Sequence, residues 1–136
     1  QSLVSRTMHL LQIESELDEI VRLVGIDALS FKDRLTLEAA RSIREDYLHQ
    51  NAFHEVDTYT SPKKQFMMLK AIMTNYEKNL EALDQDASFR ALLQLPVRER
   101  IGRLKYVPEA EAETEYNAIM KDMTEQITAL TEGGQF

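Results

Sequence analysis

Histidine is the side chain with the widest chemical reach in this 136-residue chain, because a neutral imidazole binds metals and titrates near neutral pH. The placement of His9, His49 and His54 offers no metal-ligand spacing. His9 stands alone, and His49 and His54 fall in HQNAFHEVD, which is not an H-E-x-x-H string and does not put two ligands on one helical face. Surface or hydrogen-bonded histidines are the expectation, with no metal site. Cysteine is absent, which excludes thiolate ligands and a disulfide framework and is compatible with a reducing compartment. The 23 acidic residues sit mainly at helix starts and on polar faces, so no general acid–base pair stands out. Gly133 and Gly134 are adjacent but lie at the very end, and no glycine-rich string closing in Gly-Lys-Ser or Gly-Lys-Thr occurs. A phosphate cradle is therefore missing from this stretch of chain.

Two local concentrations of chemistry remain. LPVRERIGRLKY carries Arg98, Arg100, Arg103 and Lys105, a basic cluster that suits an acidic partner or, at least as well, acidic residues of the same domain. A formal net charge of -7 opposes a phosphate backbone, so no nucleic-acid partner is expected. The second concentration is apolar. VGIDALSFKDR, residues 24–34, sets Ile26, Leu29 and Phe31 in a short polar connection, where they are expected to face outward.

The elements that must position these groups are helical. With 43% hydrophobic and 29% charged residues, 4 Gly and 3 Pro, the composition predicts an all-α protein, a single helical bundle over residues 1–136 that begins with a helical hairpin. Leu10, Ile13, Leu17, Ile20 and Val24 recur at helical spacing, and Gly25 follows as a C-terminal cap. Ser30, with Asp33 three residues on, is a capping-box start for a second helix, whose inner face is Leu35, Ala39, Ile43 and Tyr47. Arg34/Glu38 and Arg41/Glu45 are spaced for i,i+4 pairs on its outer face.

Residues 50–61, QNAFHEVDTYTS, break the period and suit a short helical turn with Phe53, Val56 and Tyr59 on one side. Ser61-Pro62 starts a third helix with the stripe Phe66, Leu69, Met73, Tyr76, Leu80 and Leu83, beside which Met67 and Met68 are core filling. Two prolines and a glycine then limit the chain to short helices around 89–95 and 97–104. Pro108 opens a last helix with Tyr116, Ile119, Met123, Ile127 and Leu130 on one face, expected to end at Gly133-Gly134. No apolar run approaches the roughly 20 residues that cross a bilayer, and no signal-peptide core is present, so the chain is expected to be soluble by itself. Its first residue, Gln1, suggests a piece of something longer.

The string ELDEIVRLVGIDALSFKDRLTLEAARSIREDYLHQNAFHEVDTYTSPKKQ, residues 16–65, resembles the C-terminal helical domain of the catalytic A subunit of V/A-type rotary ATPases. QNAFHEVDTY and LPVRERIGRLKY look like this branch in particular, and the resemblance runs from the first helix to the last. The F-type catalytic beta subunit is similar in LVGIDALSFKD, where it carries its acidic loop DELSEED.

The resemblance implies upstream β-barrel and P-loop domains, and ATP or ADP with Mg²⁺ as the ligands of the full-length subunit. It further implies an alternating ring with B subunits around a central rotor stalk, at the cytoplasmic face of a peripheral membrane complex. ATP chemistry would there be coupled to proton or sodium movement through a membrane sector. The phosphate lysine, metal ligands and catalytic glutamate of that family lie upstream, so this stretch is expected to hold no catalytic residue and to be inactive alone.

Two sites carry over by position. Ala52, Phe53, Val56 and Tyr59 match the apolar wall of the adenine pocket, where flat faces stack on the base. Gly25, Ile26, Asp27, Ala28, Leu29, Ser30, Phe31, Lys32 and Asp33 match the rotor-contacting tip. Ala28 replaces the glutamate of the acidic motif, and Phe31 and Lys32 replace its next two acids. Shape and apolar contact are thus expected in place of a row of carboxylates. The alternative expectation is a free-standing helical interaction or assembly module that binds partner helices through its apolar stripes.

Overall fold

Serine hydroxyls set where the helices begin. In this computed structural model, which describes residues 2–48 and 60–132, Ser2, Ser30, Ser61 and Ser88 each occupy an extended N-cap position. Each accepts a hydrogen bond from the backbone N–H three residues on, at 3.0–3.2 Å, which satisfies a donor that the first helical turn would leave orphaned. These caps open α1 (Leu3–Val24), α2 (Phe31–Ser42), α3 (Pro62–Asp84) and α4 (Phe89–Leu93). Proline opens α5 (Pro96–Arg103), and α6 (Glu109–Glu132) follows Pro108. A wide helical turn, Ile43–Leu48, prolongs α2, and short 3-10 turns occupy Ile26–Ala28 and Leu104–Tyr106. No strand occurs among the described residues, and none of their helices is long and apolar enough to cross a membrane.

Helix α3 packs most extensively on α6 and next on α2, and α1 packs chiefly on α2. The core lies where these helices meet, around Ala40, Ile43, Met68, Ala71, Ile72, Met73, Leu92, Val97, Leu104, Ile119 and Met123. The inner face expected for α2 is observed, with Leu35, Ala39 and Ile43 buried and Tyr47 packed against the core. The face expected for α6 is observed as well: Ile119, Met123 and Ile127 are buried, with Tyr116 and Leu130 beside them.

The stripe expected for α3 needs correction. Phe66 is 54% exposed, whereas Met67, Met68, Ala71, Ile72 and Ala82 are buried with Leu69 and Met73. A helix held between two neighbours buries a wide face, and a single i,i+3/i+4 stripe describes a helix with one neighbour. Helix α1 departs in the other direction. Leu10 and Leu17 are buried, but Ile20 and Val24 are exposed, and the buried position between the two leucines is Glu14, which pairs with Arg44 on the wide turn after α2.

The basic cluster is met by carboxylates of the same domain. Arg98 donates to Glu38 at 3.1 Å, Arg100 reaches Glu115 at 3.3 Å and also Asp122, and Lys105 reaches Asp46 at 3.2 Å. The guanidinium of Arg103 lies 5.7 Å from the ring centre of Tyr106.

These burial assignments separate two substitutions. Ile119→Ala is expected to lower the unfolding free energy by about 2–5 kcal/mol, and Phe66→Ala by no more than about 0.5 kcal/mol, in urea titrations with unchanged slope. Equal losses would return Phe66 to the core.

Candidate functional site

The tip between α1 and α2 is built from one glycine, one buried leucine and one aromatic pair. Gly25 closes α1 by donating its N–H to the Val21 carbonyl at 2.9 Å, and its φ of 94° lies where an L side chain is strained even though open space surrounds the position. The 3-10 turn Ile26–Ala28 then ends as the Leu29 N–H meets the Ile26 carbonyl at 3.0 Å. Leu29, expected to face outward, is 7% exposed and turned inward. Burying Leu29 pins the middle of the connection against the helices beneath it. Ile26 and Phe31 remain exposed, as do Leu23 and Val24 at the end of α1.

Phe31 is exposed but not free. Its ring stacks on Phe89 of α4, with centroids 4.8 Å apart and planes 11° from parallel. Arg34 lies 5.8 Å from the Phe31 ring centre and donates to the Ile26 carbonyl at 3.3 Å and the Asp27 carboxylate at 3.1 Å. The expected Arg34/Glu38 pair is thus replaced: Arg34 turns back onto the loop, and Glu38 receives Arg98. Lys32 meets Asp84 at the end of α3 at 2.8 Å. Each of these exposed charge contacts contributes little alone. Together with the ring stack and the caps at Gly25 and Ser30, they tie the tip to the ends of α3 and α4.

The tip brings together no nucleophile and no converging acid–base pair. Chemically it is a braced, partly apolar contact surface whose Asp27 and Lys32 charges are answered by Arg34 and Asp84. Sequence inspection missed Phe89 and Arg34 as parts of this surface. Ser88 did signal that Phe89 begins a helix, but the contact with Phe31 joins elements far apart in the chain.

Ala52, Phe53, Val56 and Tyr59 lie outside the described residues, as do His49, His54 and most of the expected turn at 50–61. His9 is exposed on α1. Both flanks of 49–59 are described, and both are fastened to the turn between α5 and α6. On one flank the Lys105 ammonium donates to the Glu45 carbonyl at 2.9 Å and to the Asp46 carboxylate at 3.2 Å. Burial pushes the Asp46 carboxyl above its usual range, against the opposing pull of Lys105. A Cβ on Gly102 would stand 3.3 Å from that carboxylate, so a glycine gives Asp46 room against α5.

On the other flank Lys64, 1% exposed, donates to the carbonyls of Lys105 at 3.0 Å and Val107 at 2.6 Å. Ser61 donates through both its N–H and its hydroxyl to Glu109, each at 2.9 Å. The Ser61 N–H chiefly holds the Glu109 carboxyl below the ordinary carboxylate range.

The ring stack at the tip can be measured directly. A double-mutant cycle of Phe31→Ala and Phe89→Ala is expected to give a coupling of about 0.5–1.5 kcal/mol in unfolding free energy with helicity retained in each variant, and a coupling of zero would show that the rings act independently.

A family model described as the C-terminal domain of V and A type ATP synthase matches residues 1–92. The V-type ATP synthase alpha chain of Acetivibrio thermocellus is 61% identical over 130 residues, which cover 96% of this chain and 22% of that protein. The V-type ATP synthase alpha chain of Thermoanaerobacter pseudethanolicus is 55% identical over 130 residues, with the same 96% and 22% coverage. That of Clostridium botulinum strain Okra is 53% identical over 133 residues, 98% of this chain and 22% of the relative. The chain therefore spans about a fifth of the length of these curated relatives. A match over most of the sequence, on an all-helical architecture, places the chain in the family of C-terminal domains of V- and A-type ATP synthases.

Proposed function

We propose that this chain is the helical end of a catalytic subunit in a V/A-type rotary ATPase, and that it works as a lever between the nucleotide and the rotor. The observation that carries this reading is the 61% identity to a V-type ATP synthase alpha chain across 96% of the chain. In this proposal β-barrel and P-loop domains of the same subunit precede the helical part. The subunit alternates with B subunits around a central stalk, at the cytoplasmic face of a complex that moves protons or sodium ions.

The division of labour follows from the residues present. In this reading Mg²⁺ and the phosphates are held by the P-loop domain. What this chain offers a nucleotide is the apolar set Ala52, Phe53, Val56 and Tyr59, which walls the adenine. At the far end, residues 25–33 bear on the rotor through Ile26 and Phe31. Asp27 and Lys32 are answered within the domain, which favours shape and apolar contact over charge attraction. Rigid-body movement of the domain, driven by nucleotide binding, would transmit displacement from the base to the braced tip.

Two measurements on the intact complex test the two ends separately. Phe53→Ala is expected to weaken ATP or ADP binding by about 1–3 kcal/mol, the usual loss when a stacking face is removed, and unchanged affinity would end the adenine assignment. Phe31→Ala is expected to reduce ion movement per ATP hydrolysed while the domain keeps its helicity. Full coupling in that variant would remove Phe31 from the rotor contact.

A further inference from the structure

We propose that the crevice between α2, α3 and α5 is a built hydration site, in which one or two ordered waters donate to the side-chain oxygens of Asn75 and Asn79 and belong to the core of the domain.

The two asparagines stand four residues apart on α3, so they share one face of that helix, and both line the crevice. Asn79 is 3% exposed. The Oδ1 atoms of both are buried, and no donor among the described residues lies within hydrogen-bond distance of either oxygen. An amide oxygen taken out of water and left without a donor costs about as much as a hydrogen bond lost outright, so interiors seldom keep one. Packing does not explain the choice of residue. Asparagine is a poor helix former, and leucine of nearly the same length would fill the space with no polar atom to satisfy.

The walls of the crevice decide what can answer these oxygens. Leu35, Ile72 and Ile101 offer no hydrogen-bonding group, and Arg98 is turned to Glu38 at 3.1 Å. The Tyr76 hydroxyl, which also lines the crevice, shares a hydrogen bond of 2.9 Å with Thr36. Carboxylate and hydroxyl oxygens each accept more than one hydrogen bond, so Glu38 and Tyr76 retain acceptor capacity. A ligand here must therefore bring donors. A metal cation would stand beside the Arg98 guanidinium, and an anion would face the oxygens of Asn75, Asn79 and Glu38, so either charge meets opposition. Water is neutral and carries two donors, one for an asparagine oxygen and one for a second acceptor.

Size points the same way. Room for water centres in the crevice amounts to about 30 Å³, and roughly 10–15 Å³ suffices for one water. One or two waters fit, and a nucleotide or metabolite does not. A water placed there makes the two to four polar contacts that hold buried solvent in folded proteins. It also joins α3 to the Glu38–Arg98 contact between α2 and α5, which direct side-chain contact leaves unconnected to the asparagines.

The test is a structure of the intact protein at a resolution that shows ordered solvent, for the native sequence and for Asn79→Leu. Native protein is expected to show solvent density within about 3.2 Å of both asparagine oxygens, and Asn79→Leu is expected to lose the density at position 79. Absence of density at both asparagines, or rotation of a neighbouring side chain onto them, would overturn the proposal. A second data set collected with rubidium salts separates water from a cation: anomalous signal in the crevice would make it a cation site and reject the water. Density that persists at position 79 in Asn79→Leu would show that the amide does not hold it, which also rejects the proposal. If Asn79→Leu does not fold, the native and rubidium data decide.

Discussion

Helix α3 has to satisfy α6 on one side and α2 on the other, and the shape of the domain follows from the broad buried face this requires. Met67, Met68, Ala71, Ile72, Met73 and Ala82 belong to that face; small alanines permit close helix approach, and flexible methionines adapt to the shape of their neighbours. Because α3 is fixed on two sides, its two ends become reference points. Its N-terminus receives the clasp from Glu109 and the buried Lys64, and its C-terminus supplies Asp84 to Lys32 on the tip.

The two ends of the proposed lever are therefore held by different chemistry. At the tip the fastenings are surface contacts: a ring stack, a guanidinium folded onto its own loop, and an exposed ion pair. Exposed contacts of this kind give shape at small energetic cost and remain responsive to a partner. At the base the fastenings are buried ammonium groups on backbone carbonyls, where low local dielectric strengthens each hydrogen bond and makes a missing partner expensive. Helix α2 with its wide terminal turn connects the two, starting at the Ser30 cap and closing at Leu48 beside Asp46 and Lys105. The proposed lever would need a firm base and an accessible tip, and this distribution of contacts is compatible with both.

Much of the local architecture was legible in the sequence because caps and periods act over three or four residues. Ser30, Ser61-Pro62, Gly25 and Pro108 mark helix ends through bonds to their immediate neighbours, and α2 and α6, whose inner faces are simple stripes, carry the faces their spacing implies. Where the environment is set by distant chain, the same reasoning failed. Leu29 stands in a polar connection and is buried, Phe66 heads a regular stripe and is exposed, and Glu38 receives Arg98 of α5 in place of Arg34. None of these outcomes is encoded in the neighbours along the chain.

The sequence by itself thus determined the all-helical class, the positions of most helix starts and, through QNAFHEVDTY and LPVRERIGRLKY, the family. These rest on short-range hydrogen bonding or on strings of residues. Tertiary structure decided which side of α3 faces inward, that Phe31 finds Phe89, and that Lys64 donates to the turn carrying Lys105 while Lys105 donates to the end of α2. The physical reason is the same in each case. Burial, ring stacking and ammonium–carbonyl contacts depend on distances between elements remote in sequence, and those distances exist only once the helices have packed.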